Sequence, residues 1–397
     1  MEYKVIMRAF FFALLAAGLC GCQKVETIYP ETLVGQDPPS FVTVEDVARL
    51  LAGVPVGQEQ MQEVHTATLS SVANGYDEEY RMQDLLTAPG TGVGDQPTKA
   101  GQFTRPLRDL LREALTARSD TKAGDVLSEG EVYLDSLMSS DVQIYWPYSA
   151  SWDGTSLPVV TFDPGDFAVD NVGFALQADG SVKKVLVTES MARERPVWVV
   201  NRNADAQYKS LELLRREDPD WGTGSGDLVV KPRAKDASQE MKTLILRSFK
   251  AKRQYDNWFS GGSEFFVKLG SVDDFQGLST DAELRTFNPS ITDFMIVVRR
   301  GQVGEEIPFN AVLVSEWKDY LESCAFLVIE DDGGTVTTWK CAAMVKYNSR
   351  SYGFEIEIPV NSRDDIVWRG ALTRRYIERY SGTVGHFGDV DLVLELI

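Results

Sequence analysis

The sequence predicts a mainly β protein with a partly helical N-terminal region and a C-terminal β-sandwich. Three observations carry that expectation. Apolar residues recur at helical spacing before about residue 135, the period changes to two from about residue 140, and eight strand-like runs with little helix between them fill the chain beyond residue 240. A chain of 397 residues has length for two or three domains with real cores.

The elements follow in order. Thr43 with Asp46 three positions on is an N-cap pattern, Val44, Val47, Leu50 and Leu51 make one apolar face, and Gly53 stops the helix. Val64 to Ala73 alternates only weakly and reads equally as helix or strand. Tyr80 to Leu86 reads as helix, and Pro89 to Gly101 as a Gly/Pro-rich loop. Leu107, Leu110, Leu111, Ala114 and Leu115 give a helix over Leu107 to Arg118 whose opposite face is charged. The next strands are Val142 to Trp146, Leu157 to Phe162, Lys183 to Thr188 and Pro196 to Val200. A helical patch at Tyr208 to Arg216 and a Gly-rich boundary at Asp220 to Asp227 follow.

Beyond that boundary the strand candidates are Thr243 to Phe249, Glu264 to Leu269, Phe294 to Arg299, Ala311 to Val314, Cys324 to Ile329, Val336 to Val345, Tyr352 to Ile358 and Val390 to Leu396. Eight strands with so little helix argue for two packed sheets. The expected organisation is an export signal over 1–21, a tether over 22–40, a partly helical region over 41–135, a β-rich domain over 136–235 and a β-sandwich over 236–397. No internal repeat or low-complexity tract is present.

Two cysteines make a local expectation. Asp331-Asp332-Gly333-Gly334 supplies the positive φ angles of a tight hairpin. A turn centred between Asp332 and Gly333 would set Cys324 opposite Cys341, Phe326 opposite Trp339 and Val328 opposite Thr337. Opposed strand residues lie about 4.5 to 5.5 Å apart, within or near disulfide range, so the pair is either a disulfide or two small buried thiols.

Catalytic signatures are sparse. With only His65 and His386 in the chain, a catalytic cysteine lacks an evident base, and neither a His-Glu-x-x-His motif nor a zinc-type cysteine pairing nor an EF-hand loop occurs. Asp331-Asp332, Asp364-Asp365 and Asp389 with Asp391 near His386 are oxygen-rich, but aspartates serve turns by bonding their own backbone, so no metal ligand and no cofactor are expected. Gly222-Thr223-Gly224-Ser225-Gly226 has Thr223 where a nucleophile elbow needs its first glycine, and no catalytic residue is assigned. Tyr145, Trp146, Tyr148 and Trp152 form an aromatic cluster able either to stack on a ligand or to brace a core; alternation sends Tyr145 and Trp146 to opposite faces, one of them to the core. Tyr255, Trp258 and Phe259 before Gly261-Gly262 carry the same ambiguity.

The first residues set the address. Lys4 and Arg8 precede a short apolar core, Ala9 to Gly18, well under the roughly twenty residues of a membrane-spanning helix. Leu19-Cys20-Gly21-Cys22 follows, and it resembles the lipobox of bacterial lipoproteins. The resemblance implies a diacylated Cys22, cleavage just before it and acylation of the new amino terminus. Gln23 is not the aspartate that holds members of this family at the inner membrane, which implies outer-membrane delivery, at the cell surface or on the periplasmic face.

The net charge is −19, and loss of Lys4 and Arg8 against Glu2 would make it −20, so nucleic acid and anionic lipid surfaces are poor partners. The expected function is a lipid-anchored, non-catalytic binding or interaction module for a glycan or protein. The competing class is a hydrolase using paired carboxylates or calcium.

Overall fold

In the computed structural model the described residues are 42–87, 103–119, 126–165, 167–177, 180–203, 208–217, 242–273, 288–347 and 349–397. The lipobox, the tether, the loop read at Pro89 to Gly101 and the Gly-rich stretch at Asp220 to Asp227 lie outside them. Among the described residues the fold is mainly β, with helices concentrated at the N-terminal end and antiparallel sheets at the C-terminal end.

The first half holds α1 (Val44–Ala52), α2 (Gln58–Ala73), β1 (Glu79–Arg81), α3 (Met82–Leu86), α4 (Leu107–Ser119), α5 (Val126–Met138), β2 (Val142–Tyr145), β3 (Val159–Phe162), β4 (Asp170–Leu176), β5 (Val182–Thr188), α6 (Glu189–Glu194), β6 (Val197–Arg202) and α7 (Leu211–Glu217). Helix α1 starts where the sequence places it: the Thr43 hydroxyl accepts from the Asp46 amide at 3.1 Å, and Gly53 ends it. The segment left undecided is the end of a helix, α2, which buries Gln60, Met61, Glu63, Val64 and Thr68 on one face. Tyr80 to Leu86 is one short strand plus one short helix.

Six strands form one sheet in the order β1-β2-β6-β3-β4-β5, with β3 and β6 parallel and the other pairs antiparallel. Helices cover one face. Val47, Leu50 and Leu51 of α1, Met61 and Val64 of α2 and Leu107, Leu110 and Leu111 of α4 share a single core with Val142, Ile144, Trp146, Trp198 and Val200 of the sheet side. Regions 41–135 and 136–203 therefore bury their apolar faces against each other.

The second half holds β7 (Lys242–Ala251), β8 (Ser263–Asp273), β9 (Asn288–Val298), β10 (Ile307–Trp317), β11 (Leu321–Glu330), β12 (Val336–Tyr347), β13 (Arg350–Asn361), β14 (Asp365–Thr373), α8 (Arg374–Tyr380), β15 (Thr383–Phe387) and β16 (Val390–Leu396). A four-stranded sheet runs β10-β7-β16-β15, and a second runs β13-β12-β11-β8-β9 with β14 also on β11. Their inner faces enclose one large core that includes Phe249, Phe265, Phe326, Ile356 and Leu392. All eight expected strands are present, and β14, β15 and α8 add to them.

The hairpin register differs from the expectation. Strand β11 pairs with β14 from Ser323 to Glu330 and with β8 from Ala325 to Glu330, so both of its edges are filled. Strand β12 meets β11 only at Leu321 with Val345 and Ser323 with Met344, then peels away to pair along its length with β13. The Gly333 and Gly334 turn does take positive φ, yet Cys324 faces Leu372, Cys341 faces Ile356, and Trp339 faces Ile358. Both cysteines are buried and unbridged in this structure, in different ladders, and the Cys341 thiol donates to the Ile356 carbonyl at 3.4 Å.

Candidate functional site: a carboxylate cluster beside the seam

The loop between β7 and β8, residues 252–262, lies where the two halves meet. The second face of the six-stranded sheet presents Tyr145, Val159, Val187, Val197 and Val199, and Trp258 and Phe259 of the loop pack onto it. Polar contacts fix the loop in place. The Asn201 side-chain amide donates to the carbonyls of Phe259 and Ser260 at 3.0 and 2.7 Å, and the Trp258 indole donates to the Val169 carbonyl at 3.1 Å. The Gly262 amide donates to Asp77 at 2.7 Å. Glycine is required there: a Cβ on Gly261, at φ +135°, would lie 2.9 Å from the Asp77 carboxylate, and one on Gly262 would lie 2.7 Å from the Val298 carbonyl oxygen.

Next to Asp77, the Glu78 carboxylate accepts from the amides of Tyr148 and Ser149 and from the Ser149 hydroxyl, at 3.0, 2.8 and 2.9 Å. Burial raises the pKa of both carboxyls, and for Glu78 the neighbouring Asp77 charge adds to it. Arg300 spans the seam, donating to Glu189 at 3.2 Å and to the carbonyls of Asp256 and Gly261 at 3.0 and 3.3 Å.

The same loop carries Asp256 to the start of β8 and the end of β11, where Glu264 and Glu330 stand. One carboxylate oxygen from each of Asp256, Glu264 and Glu330 lies within 4.8 Å of the others. Glu330 has a relative exposure of 0 %, and neither its oxygens nor Asp256 Oδ2 makes a well-formed hydrogen bond, although the two carboxyls face each other and the Ser263 hydroxyl stands near Glu330. Burial, and then the adjacent Asp256 carboxyl, push Glu330 far above the ordinary carboxylate range, and burial likewise raises Asp256. Asp256 and Glu264 keep partial exposure, whereas Glu330 keeps none.

The aromatic cluster is part of the walls of this architecture. Both Tyr145 and Trp146 are core residues, at 0 and 1 % exposure, on opposite faces of the sheet, so neither can stack on an external ligand. Trp146 sits 5.6 Å from Trp152 and 5.5 Å from His65 between ring centroids. The Trp152 indole donates to the Ser156 carbonyl at 3.0 Å, the Tyr148 hydroxyl donates to Glu189 at 2.7 Å, and the Arg193 guanidinium covers the Tyr148 ring at 4.8 Å. Tyr148 and Trp152 are half-buried and flank a crevice of about 40 Å³, barely more than one water occupies in the liquid. The expected aspartates act in turns and ion pairs: Asp331 accepts from Gly333 and Asn361, Asp364 from the Asn361 amide, Asp389 from Arg253, and Asp391 pairs with Lys252 and His386. No family model, no curated protein and no solved structure matches this chain.

Proposed function

We propose that this chain is a lipid-anchored protein of the outer membrane, held through an acylated Cys22, whose folded body is a non-catalytic binding or interaction module for a glycan or protein ligand. The observation that carries the reading is the Leu19-Cys20-Gly21-Cys22 sequence after a charged and short apolar segment. The order of parts supports it. Residues 23–41 can reach at most roughly 65 Å when extended at about 3.4 Å each, enough to lift the body beginning at α1 off a membrane surface. Several acyl chains on one cysteine would hold it firmly, whereas one binds only marginally. No helix among the described residues is long and apolar enough to cross a membrane.

Two features favour binding over hydrolysis. Glu330 is enclosed, which leaves no room beside it for a sugar ring between paired carboxylates. The surface also offers apolar side chains to a partner: Phe167 and Val169 stand exposed before β4, and Val182 and Leu186 on the edge strand β5. The test is metabolic labelling with a palmitate analogue, followed by detergent phase partitioning of the native chain and of Cys22→Ser. Label and detergent-phase partitioning are expected for the native chain and lost in Cys22→Ser. Equal membrane retention of the variant would overturn the anchor.

A further inference from the structure

We propose that Asp256, Glu264 and Glu330 form a calcium site that clasps the β7–β8 loop to the end of β11 and thereby steadies the seam between the two halves of the fold. The donor set is three carboxylates from three places in the chain, brought within 4.8 Å of one another. Three oxygens within 4.8 Å of one another can be shared by one cation, and calcium, with bonds of about 2.3 to 2.6 Å and a tolerant geometry, demands less rearrangement of the cluster than magnesium, which needs about 2.0 to 2.1 Å and a near-ideal octahedron. An all-oxygen set without sulfur or imidazole points to a hard cation.

The independent observation is Glu330. It is fully enclosed, neither of its oxygens makes a well-formed hydrogen bond even with the Ser263 hydroxyl nearby, and it is aimed at the other two carboxylates. A buried acid in that state is expensive unless a proton or a cation neutralises it. Local charge favours the cation. Asp332 and Asp77 add negative potential at Asp256, while Arg300, which opposes them, also shares its charge with Glu189. Asp256 and Glu264 are less deeply buried than Glu330, so water completing the ion's shell would stand on their side of the cluster.

The position gives the site a role. Asp256 belongs to the loop whose Trp258 and Phe259 plug the six-stranded sheet, and Glu330 ends the central strand of the sandwich. An ion joining them would add a further tie to those the loop already has from Asp77 and Asn201. The alternative occupant is a proton shared between Glu330 and Asp256.

Thermal unfolding and calorimetric titration of the full chain in detergent distinguish the two, in chelator alone and with calcium or magnesium chloride at ~10 mM, above the roughly 10⁻⁴ to 10⁻³ M of extracellular calcium modules. Calcium is expected to raise Tm saturably, with magnesium giving a smaller rise. Glu330→Gln should keep or raise the Tm measured in chelator, because a neutral amide suits the enclosed position, and should lose the calcium response. Asp256→Asn, which keeps the side chain's volume in this mostly buried loop, should weaken calcium binding at least tenfold. No calcium response in the native chain, an equal response to magnesium, or an undiminished response in Asp256→Asn would overturn the proposal.

Discussion

Glu63 lies on the buried face of α2 and caps the start of α4, accepting from the Leu107 amide at 2.7 Å and from the Tyr80 hydroxyl at 3.4 Å. Burial dominates over these contacts and raises its pKa from 4.5 to about 7. In the unfolded chain the group ionises near 4.5, whereas in the folded chain it holds its proton until about pH 7. Between those values the folded state binds more protons, so stability falls as pH rises. The contribution is complete below about pH 4.5 and is lost as pH passes through 7. At about 1.4 kcal/mol for each tenfold difference in proton affinity, the loss amounts to roughly 3 kcal/mol. Glu63→Gln removes the titration while keeping an oxygen for the Leu107 amide. Urea unfolding followed by tryptophan fluorescence at intervals from pH 4.5 to 8 should give a variant whose advantage over the native chain grows by about 3 kcal/mol across that range. Taking the difference cancels every other titrating group. Parallel stability curves for the two proteins would refute the assignment of a buried, protonated Glu63.

Three further outcomes are expected. Trp258→Ala should cost roughly 3 to 5 kcal/mol in urea unfolding, because it empties the plug against the six-stranded sheet; a loss under about 1 kcal/mol would contradict the seam. Gly270→Ala should cost about 1 to 3 kcal/mol, since its Cβ would lie 2.8 Å from Ile356 Cγ2 where the β12–β13 hairpin folds over β8, and a double-mutant cycle with Ile356→Ala should show positive coupling, with additivity as the contrary result. Alkylation of the denatured chain without reductant should modify both Cys324 and Cys341 in peptide mapping; a peptide pair linked through them would contradict the two separate ladders.

Local signals in the chain were legible where one physical cause acts alone. Thr43, Asp46 and Gly53 mark both ends of α1 because capping is a contact within four residues. The C-terminal strands were legible because β11 and its neighbours carry unbroken β-branched and aromatic runs. The part of α2 over Val64 to Ala73 was ambiguous because its buried face carries the polar Thr68 while Leu69 stands exposed, a mixture that erases the apolar period. Strand β4 went unread: Asp170, Asn171 and Gly173 are poor strand formers, held extended by pairing with β5.

The cysteine register failed for a different reason. Hairpin arithmetic assumes that the two strands of a turn have no better partner, and β8 and β14 outcompete β12 for the edges of β11. Carboxylates from Asp256, Glu264 and Glu330 converge through topology alone, since no spacing rule links positions so far apart in the chain. One clue was present. Glu330 directly follows the apolar run ending Phe326-Leu327-Val328-Ile329, where a charge is out of place unless something neutralises it.

Mass spectrometry of the amino-terminal peptide from protein purified out of its native membrane tests the functional account most directly. The account predicts a peptide beginning at Cys22, with a diacylglyceryl group on the thiol and a third acyl chain on the new amine. A peptide that continues upstream of Cys22, or an unmodified Cys22 thiol, would contradict it.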